Sequence, residues 1–169
     1  MARVSVKERI TSDDQLVRLL QIGVVLEEVV EVRAARHYRT LSPEEQAELD
    51  DDIVELLEEA QSESAEHRAC LEGLIEQLDA ESVALDEIER LVSAQYGQTK
   101  PDDFDGILYD QLHGEESAYK FYDDLIAAIE GSDATFSVDR ETLLATLADI
   151  REEEAEGVEE VTSIMERRA

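Results

Sequence analysis

Apolar residues recur at spacings of three, four and seven along four long stretches of this chain, which is the period of an α-helix. Short runs of helix-ending and helix-starting residues separate the stretches, and the predicted helices span about 13–41, 43–78, 103–130 and 138–167. Gly (7), Pro (2) and aromatic residues (5%) are scarce, which does not suit a β-sandwich or a barrel. The sequence therefore predicts an all-α fold, with residues 1–169 forming a single domain.

The connections between these helices differ in length, and the difference predicts the topology. The second helix restarts immediately after the first, at Ser42-Pro43-Glu44-Glu45, where Ser caps the helix and Pro fits its first turn. The loop before the fourth helix is also short, so the first and second helices, and the third and fourth, are expected to be antiparallel pairs. The middle connection, about 79–102, is long enough to cross the bundle and partly helical. The expected fold is an up-down-down-up four-helix bundle.

The net charge limits the classes of partner. Asp and Glu number 44 against 15 for Lys and Arg, which gives a net charge of -29. Such a surface argues against nucleic-acid binding by phosphate neutralisation and against docking on anionic lipid. Only 3 of the 15 basic residues are lysines, a composition typical of cytoplasmic proteins from salt-in halophiles, although an ordinary acidic protein is the alternative. No window of 18 apolar residues is present, so a cytoplasmic protein without a membrane span is expected.

Cysteine usage excludes several kinds of site. The chain has one cysteine, Cys70, which cannot form a disulfide framework, a CxxC redox pair or a rubredoxin-type iron site. It lies one turn after His67, where a buried, unreactive cysteine is expected; a soft metal ligand or a redox thiol is the alternative.

Each predicted helix places one metal-ligand type of residue on an otherwise apolar line at offsets of four and seven. These residues are Glu31, His67, Glu115 and Glu154. Burial of an ionised carboxylate is costly unless it is paired or binds a metal, and four such groups at similar heights can converge inside a bundle. Three carboxylates and an imidazole suit iron, manganese or zinc. The alternative is that the glutamates turn outward or pair with arginines such as Arg151.

An internal repeat supports this interpretation. Glu31 precedes Tyr38 by seven residues, and 84 residues later Glu115 precedes Tyr122 by seven. The runs Glu63-Ser64-Ala65-Glu66-His67 and Glu153-Glu154-Ala155-Glu156-Gly157 are offset by 90 residues. Two similar helical hairpins would form a bundle with its site on a pseudo-two-fold axis.

The runs from Gly114 to Tyr122 and from Glu31 to Tyr38 resemble segments of the ferritin-like superfamily, in particular rubrerythrin-type di-iron proteins. That family carries Glu on helix one, Glu-x-x-His on helix two, Glu on helix three and Glu-x-x-His on helix four. This chain departs from the pattern at Ser64 and at Gly157. The resemblance implies that Glu31, His67, Glu115 and Glu154 bind the metal. Glu63, one residue out of register and four residues before His67, is expected to substitute for the missing ligand at position 64. Tyr38, Tyr122 and Ser64 are expected to lie close to the site.

The resemblance also implies a function. The expected cofactor is iron, as one or two ions, with manganese or zinc as alternatives, and the expected activity is rubrerythrin-like oxidoreduction of peroxide or oxygen. Because one cysteine cannot form a rubredoxin-type site, a separate electron-donor protein is expected. A homodimer is expected as well, with a helical face near Ala127 and Ala128 as one interface. The alternative is a non-catalytic binding or scaffold protein with an eroded site, which the departures at positions 64 and 157 favour.

Overall fold

The structure, a computed structural model, describes residues 10–48, 51–84, 86, 88, 90 and 104–168. These residues form helices and loops, with no strand among them. The helices are α1 (Asp13–Thr40), α2 (Pro43–Glu48), α3 (Asp51–Gln77), α4 (Phe104–Glu130) and α5 (Arg140–Arg168). The second predicted helix thus corresponds to α2 and α3, on either side of residues 49 and 50, which are outside the described part. The bounds of α1, α4 and α5 differ from the predicted ones by at most two residues.

Side chains cap the N-terminal turns of two long helices. The Ser12 hydroxyl accepts a hydrogen bond of 3.4 Å from the backbone N–H of Gln15 at the start of α1. The Asp139 carboxylate accepts one of 3.1 Å from the N–H of Thr142 at the start of α5. Both bonds satisfy backbone donors that have no partner within the helix, and a lost cap of this kind typically costs about 1 kcal/mol.

The termini of all four long helices meet at one end of the molecule. Asp13, at the start of α1, accepts hydrogen bonds from the backbone N–H of Asp79, just after α3, and of Ser137, just before α5. The Ser132 hydroxyl, just after α4, donates to the Ile10 carbonyl over 2.7 Å. The starts of α1 and α5 therefore lie beside the ends of α3 and α4.

The long helices pack around two apolar clusters. Helix α1 packs against α3 and α4, and α5 packs against the same two helices. The larger cluster occupies the end described above and includes Leu20, Leu71, Leu125 and Leu147. The smaller one, at the other end, includes Ile53, Leu57, Leu108 and Val161. On each of α3, α4 and α5, buried polar residues lie between the residues that belong to one cluster and those that belong to the other. A polar layer therefore crosses the bundle near its middle.

The first part of the connection after α3 lies against α1. The buried Gln21 side chain donates to the Val83 carbonyl (2.8 Å) and accepts from the Val83 N–H (3.0 Å). Ile88, which has helical backbone, packs with Val25 and Leu26. The remaining residues of the predicted crossover, 85, 87, 89 and 91–102, lie outside the described part. None of the described helices is long and apolar enough to cross a membrane.

Candidate metal centre

The polar layer contains three ligand-type side chains that are almost completely inaccessible. Glu27 of α1 is 1% exposed, His67 of α3 is 3% exposed, and Glu154 of α5 is 4% exposed. Each helix places its residue between apolar turns, and those turns carry the charged group into the bundle when the helix packs. Charged side chains are seldom buried to this extent unless they are paired or bind a metal.

The three side chains meet around the His67 ring. Its Nδ1 atom lies 3.3 Å from Oε1 of Glu27 and 3.2 Å from Oε1 of Glu154. Its Nε2 atom makes a short hydrogen bond with Oε2 of Glu153. The Tyr122 hydroxyl donates to Oε1 of Glu27 over 2.7 Å, while Oε2 of Glu27 is buried with no hydrogen-bond partner.

These distances fit metal ligands at least as well as hydrogen bonds. An N–H···O bond usually measures about 2.9–3.0 Å, so contacts of 3.2 and 3.3 Å are long. Nitrogen and oxygen ligands at about 2.0–2.2 Å from one ion lie about 2.8–3.6 Å apart when roughly octahedral or tetrahedral angles separate them. One ligand atom from each of Glu27, His67 and Glu154 lies within 4.8 Å of the other two. The two contacts of Nδ1 therefore have a spacing that ligands of one ion would also have.

A fourth ligand-type side chain, the carboxyl group of Glu115 on α4, completes the layer. It accepts a hydrogen bond of 3.3 Å from Nε2 of Gln111 and shares another with Glu154. It also lies against the bare backbone of Gly157, where an added β-carbon would be 2.7 Å from Oε2 of Glu115. The glycine therefore provides the space that this carboxyl group occupies.

Burial and crowding control the protonation of the layer when no cation is bound. Burial, the hydrogen bond with Glu115 and the negative charge of Glu27 raise the pKa of Glu154 far above its usual value, so Glu154 holds a proton and donates it to Glu115. Burial opposes the charged form of His67, but Glu27 and Glu153 outweigh this and raise its pKa to about 9. Burial and the charges of Glu115 and Glu153 raise the pKa of Glu63 to about 7.

The structure brings together three of the sequence-predicted ligands, His67, Glu115 and Glu154. Glu31 lies outside the cluster, because its carboxylate forms an ion pair with Nη1 of Arg68 at 2.5 Å. The α1 residue that faces His67 is Glu27, one turn earlier, which the sequence analysis did not select. A signal for it exists in the sequence, since Leu16, Leu20 and Gly23 precede Glu27 by 11, 7 and 4 residues.

The remaining predicted residues occupy different depths. Ser64 is buried in the layer, Glu63 is half-buried at its edge, and Tyr122 contacts Glu27 directly. The side chain of Tyr38 lies outside the described part of the structure. Cys70 is exposed, so the expectation of a buried cysteine was wrong.

Two carboxylates and an imidazole are a donor set that holds divalent iron, manganese or zinc. Oε1 of Glu27 and Oε1 of Glu154 lie at ligand spacing from Nδ1 of His67, and the second oxygen of Glu27, Oε2, has no hydrogen-bond partner and could also bind a cation. Comparison with protein-family models, with curated proteins and with solved structures finds no match to this chain.

Proposed function

We propose that this protein binds a divalent transition-metal ion inside its helical bundle, with Glu27, His67 and Glu154 as ligands and iron as the expected metal. The observation that carries the proposal is the convergence of these three buried side chains, from three different helices, on one point. Unpaired burial of such groups costs several kcal/mol, and a bound cation removes much of that cost.

The contact of Glu153 with His67 supports the proposal. Metal-binding histidines usually donate their second ring N–H to a carboxylate or a carbonyl, which orients the ring and selects the tautomer. If Nε2 of His67 donates to Glu153, the lone pair of Nδ1 points toward Glu27 and Glu154. The ring is then held in the tautomer that a metal requires.

Tyr122 supports the same ligand set from the other side. Its hydroxyl donates to one oxygen of Glu27 and leaves the second oxygen free of hydrogen bonds. A buried acceptor without a partner is destabilising by about 1–3 kcal/mol, and more for a charged group. A cation bound by this oxygen would supply the missing interaction, and Tyr122 would keep the carboxylate in position.

The internal repeat favours one strong site over two. At the offset of 84 residues Gln111 corresponds to Glu27, and at the offset of 90 residues Gly157 corresponds to His67. The second half of the repeat therefore lacks two of the ligand types that the first half has. Glu115 remains near Glu154 as an additional carboxylate ligand.

The helix directions favour a ferritin-like bundle. Support for this topology comes from the hydrogen bonds of Asp13 and Ile10, which join residues at the starts of α1 and α5 to residues just after α3 and α4, as up-down-down-up connectivity requires. Bound iron would supply the redox chemistry of a rubrerythrin-like oxidoreductase that acts on peroxide or oxygen. The residues of the chain would hold the ion and exclude water from it.

A cytoplasmic location, a separate electron donor and a homodimer belong to the same proposal. Of the two alanines expected at the dimer interface, Ala127 is exposed, whereas Ala128 is buried and unsuited to an interface.

One observation favours the alternative, a scaffold protein that has lost its metal. The charged form of His67 can be balanced by Glu27 and Glu153, while Glu154 shares its proton with Glu115. Such a network compensates most of the buried charge without a cation. Metal binding distinguishes the two functions.

The test is an anaerobic titration of the purified protein with ferrous iron, and separately with manganese and zinc, in high salt. We expect one tightly bound ion per chain. Glu27→Gln and His67→Ala should abolish tight binding, whereas Glu31→Gln, one turn from Glu27 on the same helix, should leave it nearly unchanged. A wild-type protein that binds none of the three metals would refute the proposal in favour of the scaffold.

A further inference from the structure

We infer that a pocket between α1 and α4 is the site at which a small uncharged molecule enters and binds next to the metal centre. This inference rests on the proposed function. The residues that carry it are Leu26, Val29 and Val30 of α1 and Gln111, Gly114 and Ala118 of α4. The pocket encloses about 410 Å³ including its open mouth, but its interior admits only molecules close to water in size.

Gln111 connects the wall of this pocket to the polar layer. Gln111 lines the pocket and is itself buried, and its Nε2 atom donates to Oε1 of Glu115 over 3.3 Å. Glu115 in turn shares a hydrogen bond with Glu154, one of the proposed ligands. A molecule that contacts Gln111 in the pocket is therefore linked to Glu154 through two hydrogen bonds, the one from Gln111 to Glu115 and the one between Glu115 and Glu154.

The chemistry of the pocket selects an uncharged occupant. Most of its wall is aliphatic, and such a surface does not compensate the lost hydration of an ion. The carboxyl group of Glu115 behind Gln111, together with the net charge of -29, disfavours an anion. Arg33 and His113 also line the pocket, but each is already engaged by another group of the protein.

Cations have a different approach, between α3 and α5. Glu153 contacts Nε2 of His67 while 44% of its side chain remains exposed. Glu59 and Glu160 share a hydrogen bond across the same two helices. These carboxylates attract metal ions toward His67 from the side opposite the aliphatic pocket. Blocking the pocket should therefore slow the access of an uncharged ligand without slowing the uptake of metal.

The experiment uses a variant that fills the pocket, and it measures the rate of association of an uncharged ligand and the rate of iron uptake. A β-carbon at Gly114 would lie 3.5 Å from Cγ2 of Val30, an ordinary contact, so Gly114→Leu can extend into the pocket without a clash at its base. Gly114→Ala is the matched control, because it adds the β-carbon and leaves the pocket open. With protein loaded with ferrous iron under anaerobic conditions, nitric oxide association is followed by stopped-flow absorbance. Gly114→Leu should slow it about tenfold, which corresponds to about 1.4 kcal/mol on the barrier. Iron affinity and the rate of iron uptake should stay unchanged.

A second measurement uses metal-free protein. Dissolved oxygen, a paramagnetic molecule close to water in size, should enhance the relaxation of the methyl NMR signals of Leu26, Val29 and Val30 in the wild type and in Gly114→Ala, but much less in Gly114→Leu. If Gly114→Leu does not fold, Val30→Phe blocks the same pocket from α1. Normal iron binding with equal nitric oxide rates in blocked and open variants would overturn the pocket assignment alone. Failure of the wild type to bind metal would instead overturn the proposed function, and with it this inference.

Discussion

The carboxyl group of Glu115 lies where a side chain at position 157 would begin. A β-carbon on Gly157 would be 2.7 Å from Oε2 and 2.9 Å from Cδ of Glu115, closer than real β-carbons approach such atoms. Glu115 is 5% exposed and cannot turn toward solvent without rearrangement of α4 and α5. The absence of a side chain at position 157 therefore places a second carboxyl group beside Glu154.

Gly157→Ala should destabilise the fold, although alanine favours helix. The β-carbon displaces the Glu115 carboxyl group from its hydrogen bonds, and overpacking of this kind costs about 1–3 kcal/mol. Gly73→Ala is the control, because nothing lies within 4 Å of its added β-carbon in α3 and the change should stabilise the helix by about 0.5–1 kcal/mol. Denaturant unfolding in high salt measures both. Equal effects at the two positions would contradict the crowding at Gly157.

Tyr122→Phe should weaken both the fold and the metal site. The substitution removes the 2.7 Å hydrogen bond that the Tyr122 hydroxyl donates to Oε1 of Glu27. The buried carboxylate is then less well compensated, at a cost of about 1–3 kcal/mol. Tyr119→Phe, three residues earlier on an exposed part of α4, should change neither quantity. Thermal unfolding and metal titration of the two variants provide the comparison. A Tyr122→Phe protein with wild-type metal affinity would show that Tyr122 does not position Glu27.

Glu153→Gln should lower the metal affinity more than the stability. The amide can no longer accept a charge-assisted hydrogen bond from Nε2 of His67, and loss of such an orienting carboxylate typically costs about 10–100-fold in affinity. Glu152→Gln changes the charge equally on an exposed neighbour and is the control. Titration with zinc measures the affinities. If both variants lose affinity equally, Glu153 acts only through net charge.

Stability of the metal-free protein should fall as the pH rises. The pKa of Glu63 and of Glu160 is raised from 4.5 to about 7, so the folded state holds protons that the unfolded state has released, and stability falls from about pH 4.5 through about pH 7. The pKa of His67 is raised from 6.5 to about 9, so its contribution is complete below pH 6.5 and is lost as the pH rises through 9. Thermal unfolding at constant high salt across this range tests the slope.

Metal should reverse this dependence. Binding requires an unprotonated nitrogen on His67 and a deprotonated Glu154, so it releases protons and strengthens with pH. The increase in melting temperature on addition of zinc should therefore grow between about pH 6 and about pH 8. An increase that is independent of pH would indicate that the ion binds at exposed carboxylates and not at His67.

Low salt should expand or unfold the protein. The chain has a net charge of -29 on 169 residues, and its acidic side chains repel one another most strongly in dilute salt, where the screening length is long. Far-UV circular dichroism from dilute buffer to multimolar KCl follows the change, with helicity and melting temperature expected to rise with salt. Constant values over this range would contradict adaptation to high salt.

The apolar periodicity of the sequence was sufficient to predict the helices. Each stripe of apolar residues must be removed from water, and the capping residues near Asp13 and Asp139 define where two of the helices begin. The same criterion identified His67, Glu115 and Glu154 as polar residues on core-facing lines, because the burial of a stripe carries every residue on it inward. These features depend on local spacing, which is present in the sequence.

Only the tertiary structure decided which carboxylates meet. Glu27 and Glu31 lie one turn apart on nearly the same face of α1, about 6 Å along its axis, so periodicity cannot distinguish them. The axial position of α1 against α3 places Glu27 beside His67 and leaves Glu31 to pair with Arg68. In the same way, the sequence shows Gly157 only as a position that lacks the expected ligand. The packing of α4 on α5 places the Glu115 carboxyl group in the space that a side chain at position 157 would occupy. Such contacts depend on how the helices slide against one another, which many side chains distant in sequence determine together.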